Sequence, residues 1–340
     1  VHINVCFSEA LEAAPLAILS NYSINNGVGT PVADTINSTL TCVYLTLGVP
    51  VVSGTTYTLT LSSMSDCSGN ALTPASINFS PYQVQPFDIV INEIMADPDP
   101  VVGTLPNYEY LELYNTTAFP VNLSNWSLVI GTTVKMLPDV TIAADSFLVF
   151  TSATALPEFG SGIVVEGLSS LSLPNTEQTV ILKSPQGAII SFVSYTDSWY
   201  QNSSKESGGW SLEQIDPNNP CAGMSNWKAS ESINGGTPGK LNSVNAANPD
   251  ITLPEALRVS VIDVDTIQLY FNEPLDSTTM LSTSIYTIDN GVGNPVMVQP
   301  LAPDYKSVRL IIAGGLQAGI IYQVTVNNSV TDCAGNMVGQ

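Results

Sequence analysis

The chain has 340 residues, and its 8 basic residues against 29 acidic residues give a net charge of −21 with histidine neutral. Phosphate binding needs clustered Lys and Arg, so this balance excludes binding to nucleic acid or to an anionic membrane. The single histidine, His2, argues against multi-histidine metal sites and against nucleophiles that need a histidine base. No run of 18 or more apolar residues occurs, so no membrane insertion is expected.

The predicted elements are short strands separated by turns. Runs rich in Val, Ile, Thr, Tyr and Leu alternate with clusters of Gly, Pro, Asn, Asp and Ser, which is typical of an all-β chain. Taken in chain order, a short helix is predicted only within residues 9–20, where Pro15 limits its length. Half-buried strands follow at residues 57–61, 108–114 and 266–271, because alternate side chains are apolar there.

The two ends of the chain carry an internal repeat, and the matched segments are 264 to 266 positions apart. We therefore expect one copy of the same domain at each end of the chain, with a different domain between them. The copies stop at different points of the repeat, so we expect the chain to be a piece of a longer protein. The matched pairs are FSEAL (7–11) with FNEPL (271–275), YSINNGVGTP (22–31) with YTIDNGVGNP (286–295), and DCSGN (66–70) with DCAGN (332–336).

These motifs resemble two known families. The repeated segments are similar to the bacterial Ig-like domains of surface-layer and other secreted proteins. The middle of the chain resembles the lamin-tail domain, and the segments that carry this resemblance are INEI (91–94), EYLELYN (109–115), NLSNWSL (122–128), GWSLE (209–213) and GGTPG (235–239).

The resemblance implies an all-β protein of three tandem Ig-like β-sandwich domains. The expected boundaries are residues 1–85 for an Ig-like domain, 86–247 for the lamin-tail-like domain and 248–340 for a second Ig-like domain. Bacterial members of these families are usually attached to secreted or surface proteins, so we expect this chain to be secreted or located at the cell surface.

Within such sandwiches, the five cysteines acquire predicted partners. The first strand and the strand that begins at Cys42 would be antiparallel neighbours with Cys6 and Cys42 on their outer face, which predicts a disulfide between them. Cys333 would lie at the end of the second copy that faces the middle domain, within reach of Cys221, whereas Cys67 would stay free. Either bridge indicates an oxidising compartment. The alternative is that all five are unpaired thiols.

An acidic stretch suggests one candidate metal site. Calcium prefers six to eight oxygen ligands, and Asp97, Asp99 and Glu109 could supply several of them. The alternative interpretation is that Glu93 and Glu112 cap strands or accept hydrogen bonds from the backbone at the sandwich rim, as part of the fold signature. Paired carboxylates also occur in glycosidases, but the sequence shows no aromatic-lined cleft. We therefore expect no enzyme, and calcium is the one candidate cofactor.

Two aromatic residues are candidates for ligand binding. Trp199 and Tyr200 lie in a polar loop at residues 196–208, which predicts that they are exposed. Trp126 and Trp210 occupy alternating positions of predicted strands, so we expect both to pack in the core.

The sequence thus predicts a non-catalytic structural, adhesive or spacer segment of a larger secreted or surface protein. Its partners would be the other domains of the same longer chain, together with an extracellular protein or glycan. The alternative function is an accessory carbohydrate- or protein-binding module of an extracellular hydrolase.

Overall fold

The computed structural model describes residues 2–52, 55–73 and 75–339. The chain divides into two compact units, residues 1–83 and 84–340. The described residues form mainly short strands in several separate sheets, which confirms the prediction of an all-β fold. No helix in the described part of the chain has the length and apolar character needed to cross a membrane.

The first unit is a sandwich of two three-stranded antiparallel sheets. Its strands are β1 (His2–Cys6), β2 (Tyr22–Ile24), β3 (Ala33–Ile36), β4 (Cys42–Thr46), β5 (Tyr57–Leu61) and β6 (Ser76–Phe79). The sheet orders are β1-β4-β3 and β2-β5-β6. Buried apolar residues of both sheets, such as Leu45 on β4 and Leu59 on β5, form one core. Helix α1 (Ala13–Leu16) lies in the predicted segment and is only four residues long.

The middle of the chain, in the second unit, contains two larger sheets and a two-stranded one. The six-stranded sheet has the order β14-β13-β8-β7-β17-β18, the four-stranded sheet β11-β10-β15-β16, and β9 pairs with β12. The bounds are β7 (Ile89–Met95), β8 (Tyr110–Asn115), β9 (Val121–Asn122), β10 (Ser127–Ile130), β11 (Thr133–Met136), β12 (Thr141–Ile142), β13 (Ser146–Ser152), β14 (Val165–Leu168), β15 (Glu177–Lys183), β16 (Ile189–Thr196), β17 (Leu212–Gln214) and β18 (Trp227–Ala229).

The centre of the six-stranded sheet departs from the predicted alternation of buried and exposed residues. Every residue of β7 is buried, and β8 is buried except at Tyr114. One face packs in the core between the sheets, where Ile91 and Leu111 meet Leu128 and Val180 of the four-stranded sheet. The other face is also buried, because a later segment of the chain packs on it, and the site described below lies between that segment and the sheet. Strand β8 also begins two residues later than predicted.

The second Ig-like copy completes the second unit. Its strands are β19 (Ala256–Asp263), β20 (Thr266–Phe271), β21 (Tyr286–Ile288), β22 (Met297–Pro300), β23 (Ser307–Ile311) and β24 (Val324–Val326). They form a four-stranded sheet, β19-β20-β23-β22, and the pair β21-β24. Short 3-10 helices occur at Leu19–Asn21, Ala153–Glu158, Asp197–Tyr200, Gly223–Asn226 and Thr283–Ile285.

The two Ig-like copies share their internal hydrogen bonds as well as their sequence motifs. The buried hydroxyl of Tyr22 donates to the Leu16 carbonyl oxygen at 2.8 Å. In the second copy, Tyr286 donates to the carbonyl oxygen of Met280 at 3.0 Å, with both residues 264 positions further along the chain. The repeat found in the sequence is therefore a repeat of structure.

Candidate functional site

A disulfide bond joins the middle domain to the second Ig-like copy. Cys221 bonds to Cys333, 112 residues later in the chain, and Cys6 bonds to Cys42 across the paired strands β1 and β4. Both predicted pairings are confirmed. Cys67 is a free, exposed thiol, as predicted.

The turn that carries Cys333 is shaped by a buried aspartate. Oδ1 of Asp332 accepts hydrogen bonds from the backbone N–H groups of Ala334 and Asn336, each at 2.8 Å. Its Oδ2 accepts a hydrogen bond from the Asn336 side chain at 2.8 Å. An aspartate that accepts local backbone donors stabilises a tight turn, so the D-C-x-G-N motif holds Cys333 at a defined point on the domain surface.

Three glutamates lie side by side on the central strands of the six-stranded sheet, and none is exposed to solvent. Glu93 on β7 is paired in register with Glu112 on β8 and with Glu213 on β17. All three residues are 0% exposed. We call them the buried glutamate cluster. Buried carboxylates need hydrogen-bond donors, because desolvation of an unpaired charge is costly.

Glu93 is at the centre of this cluster and receives most of the donors. Its Oε1 accepts hydrogen bonds from the Tyr110 hydroxyl at 2.6 Å, the Ser211 hydroxyl at 2.6 Å and the Thr237 backbone N–H at 2.8 Å. Its Oε2 lies 3.3 Å from the Thr237 hydroxyl. Burial, and then the nearby charge of Glu213, raise the pKa of Glu93 to about 7. Near neutral pH, this carboxyl group is therefore partly protonated.

Glu112 is held in the same way. Its Oε1 accepts a hydrogen bond from the Asn92 side chain at 2.8 Å, and its Oε2 accepts one from the Gly239 backbone N–H at 2.5 Å. Burial, and then the charge of Glu93, raise the pKa of Glu112 well above its usual range. Both carboxylates accept a backbone N–H, as the alternative interpretation expected, but they lie buried at the centre of the sheet and not at the rim of the sandwich.

The donors to the cluster come largely from one later segment, residues 230–245, which we call the covering segment. Glu213 accepts hydrogen bonds from the hydroxyls of Thr237 and Ser243, at 2.9 and 2.7 Å, and from the Val244 N–H at 3.1 Å. The side chain of Asn242 donates to the backbone oxygen of Asn92 at 3.0 Å. The glutamates thus fasten the covering segment to the sheet.

The glycines of the GGTPG motif allow this close approach. A Cβ atom on Gly236 would lie 2.2 Å from the Tyr110 hydroxyl oxygen and 2.7 Å from Oε1 of Glu93. Gly235 has φ +86°, and a Cβ there would lie 2.3 Å from the carbonyl oxygen of Gly209. Both positions require glycine because the covering segment lies directly on the cluster.

The residues predicted to bind calcium do not converge in the structure. Oε2 of Glu109 accepts a hydrogen bond from the backbone N–H of Leu173 at 3.0 Å. Burial, and then the charge of Asp97, raise the pKa of Glu109. Asp99 is exposed. Among the described residues, these three do not form a group with ligand atoms within 4.8 Å of one another.

The described residues contain one group of three acids that does meet that distance. It consists of Asp250, Glu273 and Asp332, at the junction of the middle domain and the second copy. Burial, and then the charges of Asp250 and Asp332, raise the pKa of Glu273 to about 7. Sequence reasoning missed this group. Its sequence signal was weak, because the three acids are far apart in the chain.

A groove of about 470 Å³ lies beside this acidic group, and we call it the junction groove. The middle domain contributes apolar residues to its lining, among them Phe192, Trp199 and Met224. The linker and the second copy contribute acids, among them Asp250 and Glu273.

The two aromatic residues predicted to bind a ligand, Trp199 and Tyr200, differ in exposure. Trp199 is partly buried and lines the junction groove, with its ring centroid 6.2 Å from that of Trp227. Tyr200 is only 3% exposed and packs in the core, so the prediction that it is exposed is wrong. Both residues lie in the 3-10 turn at Asp197–Tyr200 and contact the same core, Tyr200 as a buried member and Trp199 at its edge.

The two tryptophans assigned to the core pack there. Trp126 is 3% exposed and belongs to the core between the sheets. Trp210 is partly buried against the same core, and the ammonium group of Lys205 lies 4.1 Å from its ring centroid. Its other face therefore makes a cation–π contact.

Comparison with protein families assigns the two Ig-like copies and the first part of the middle domain. The family model described as Bacterial Ig-like domain matches residues 1–81 and 246–340, which is more than half of the chain. The model described as Lamin Tail Domain matches residues 83–197. A search of curated protein sequences found no match.

Two solved structures of a surface-layer protein are similar to the chain at low identity. They are described as the S-layer protein rSbsC(31-844) and as surface layer protein SbsC, domains 1-6. Each is 13% identical over 99% of this chain, with TM-scores of 0.27 and 0.26. The chain spans 56% of the length of each of these structures.

Proposed function

Because the chain belongs to the bacterial Ig-like domain family and carries a lamin tail domain between its two Ig-like copies, we propose that it is a non-catalytic, load-bearing spacer of a secreted or cell-surface protein. The disulfide between Cys221 and Cys333 is the observation that carries this proposal. Two disulfides in one chain also favour an oxidising compartment outside the cytoplasm.

The disulfide changes the path of a pulling force. When the chain is stretched from its ends, tension that reaches Cys221 passes through the sulfur atoms to Cys333. Residues 222–332, which include most of the second copy, then carry no load. A free segment of 112 residues would extend by roughly 390 Å at about 3.5 Å per residue, and the bond prevents this extension.

The first copy provides a comparison within the same chain. Its disulfide, Cys6 to Cys42, encloses only 36 residues, or roughly 125 Å of extended chain. Most of the first copy therefore lies in the path of the force, including the β5 and β6 strands that follow Cys42. A spacer built in this way yields in the first copy or the middle domain and keeps the second copy attached.

Single-molecule stretching of the whole chain tests the proposal. The oxidised chain should show no unfolding event from residues 222–332, whereas a Cys221→Ser, Cys333→Ser double variant should gain roughly 390 Å of contour length. A Cys67→Ser variant is the control and should behave like the wild type. If the oxidised wild type already releases the full length of the second copy, the force-bearing role is refuted. Protease accessibility on intact cells then tests the surface location.

The finer partners and ligands are also proposals. We propose that the chain continues the architecture of a longer surface protein, whose other domains are its first partners. Calcium binding by Asp97, Asp99 and Glu109 stays a prediction. Thermal unfolding with calcium and with chelator tests it, since an ion that binds only the folded state raises the midpoint.

A further inference from the structure

The junction groove has the size and the fixed walls of a binding site. Its volume of about 470 Å³ lies in the range of small-molecule and side-chain pockets. Cys221 is part of the lining, and its bond to Cys333 ties the two domains together at this point. A site whose walls are already held in place loses less entropy when a ligand binds.

The walls differ in chemistry. The middle domain supplies Phe192 and Trp199, and Trp199 is backed by the buried Trp227. The second copy and its linker supply the carboxylates of Asp250, Glu273 and Asp304. An aromatic face next to carboxylates suits a cation on an apolar stem, because the ring attracts the charge and packs against the methylenes.

The carboxylates in and beside the groove differ in the number of hydrogen bonds that they accept within the protein. Asp332, beside the groove, is fully engaged in its own turn. Oδ1 of Asp250 accepts a hydrogen bond from the Thr252 backbone N–H at 2.9 Å. In the described part of the chain, the hydrogen bond found for the Glu273 carboxylate is one of 3.3 Å from Asn272.

The charges of the groove favour a cationic guest over a neutral or anionic one. Lys306 is the basic residue of the lining, against three acids of the same lining and the adjacent Asp332. Three carboxylates within 4.8 Å repel one another, and a neutral sugar would leave that repulsion unrelieved. A bound ammonium or guanidinium group would remove it.

We propose that the junction groove binds a lysine or arginine side chain of a basic peptide or protein partner, with the cation at Glu273 and Asp250 and the side-chain stem on Trp199 and Phe192. The groove thereby gives the spacer a site for attachment to another molecule. This inference does not depend on the load-bearing role, since binding and extension are measured separately.

Calorimetric titration of the whole oxidised chain with tetra-arginine, tetra-lysine and tetra-citrulline at about 150 mM salt tests the proposal. Citrulline has nearly the shape of arginine but no charge, and the salt screens distant surface charges. The cationic peptides should bind and tetra-citrulline should not. Glu273→Gln keeps the side-chain shape and should raise the Kd about tenfold, which corresponds to a loss of about 1.4 kcal/mol in binding free energy.

The internal repeat provides a matched control. Glu9 occupies the position of Glu273 in the first copy and is exposed, so Glu9→Gln makes the same charge change outside the groove and should alter Kd less than twofold. Trp199→Leu should weaken binding as Glu273→Gln does, with circular dichroism as the check of folding.

A pH series gives a further readout. Asp250 and Asp332 raise the pKa of Glu273 to about 7, Lys306 lowers it slightly, and Asp304 also lines the groove. Affinity for tetra-arginine should therefore rise between pH 6 and pH 8 in the wild type, and less so in Glu273→Gln.

Two results would overturn the inference. Equal loss of affinity in Glu9→Gln and Glu273→Gln would show that the peptides bind only through the overall negative charge. Absence of cationic binding together with a specific glycan on an array, lost in Trp199→Leu, would make the groove a carbohydrate site.

Discussion

The buried glutamate cluster makes the stability of the second unit depend on pH in a direction that can be tested. Glu93 has an ordinary pKa of 4.5 that burial and Glu213 raise to about 7. Between these values the folded state holds a proton that the unfolded state has released. The free energy of unfolding therefore falls as pH rises. The stabilisation is complete below pH 4.5 and is lost by about pH 7.

The change in the free energy of unfolding follows from the rise in the pKa of Glu93. Raising the pKa of Glu93 from 4.5 to about 7, at about 1.4 kcal/mol per pH unit, stabilises the folded state by about 3 kcal/mol. This is a large part of the 5–15 kcal/mol that is typical of a domain. The pKa of Glu112 is raised by the same causes, so it changes stability in the same direction. Glu231, whose pKa is lowered, changes the stability of the second unit only at more acidic pH.

The hydrogen bonds also indicate which variant should reduce this dependence, while the contributions of Glu112 and Glu273 remain. Oε1 of Glu93 already accepts three donors, so the proton belongs on Oε2, which faces the Thr237 hydroxyl. Glu93→Gln places an amide N–H at that point and reproduces the protonated group. The variant should match the wild type at pH 5 and be more stable by about 3 kcal/mol at pH 8.

Urea unfolding at pH 5, 6, 7 and 8, followed by tryptophan fluorescence with disulfides intact, is the assay. All four tryptophans lie in the middle domain, so the signal reports on the second unit. Glu158→Gln, a change at an exposed glutamate, is the control and should keep the wild-type slope. Wild-type stability that is constant or rises from pH 5 to pH 8 would refute the reasoning, as would an unchanged slope in Glu93→Gln.

Further predictions concern packing, hydrogen bonding and thiol chemistry. Gly236→Ala should destabilise the second unit by about 1–3 kcal/mol in urea because its Cβ would overlap the Tyr110 hydroxyl, whereas Gly160→Ala, with open space around the Cβ, should not. Tyr22→Phe and Tyr286→Phe should each lower the melting temperature of their own copy, with losses of about 1 kcal/mol that agree within error; unequal losses would contradict the structural repeat. Alkylation without reductant should label Cys67 alone, as read by mass spectrometry, and labelling of a second cysteine would contradict the pairing.

Local patterns in the sequence predict the strands and the repeat well. The strands at Tyr57–Leu61 and Thr266–Phe271 lie at the predicted residues, because alternation of apolar residues depends on the nearest neighbours. The disulfides were predictable because the family resemblance supplied strand pairing and orientation. Cys6 and Cys42 are indeed register partners.

Neither the position of the covering segment on the sheet nor the junction groove was predictable in this way. Asn92 and Asn242 meet across 150 residues, and no local pattern shows that a later segment buries the outer face of β7. Glu273, Asp250 and Asp332 come together only when distant parts of the second copy pack. Tyr200 was placed wrongly because the polar composition of residues 196–208 does not show that the 3-10 turn at Asp197–Tyr200 packs Tyr200 into the core.

The disulfide between Cys221 and Cys333 also implies an order of events for a chain that is exported. If the chain leaves the cell from its N-terminus, Cys42 follows Cys6 after 36 residues and can pair early. Cys221 must wait until a further 112 residues have crossed, while the thiol of Cys67 is already outside. The turn that presents Cys333 forms only with Asp332 and Asn336 in place. Folding of the second copy as far as Asn336 is therefore the condition for its attachment, and oxidation of this bond reports that this part of the chain has folded.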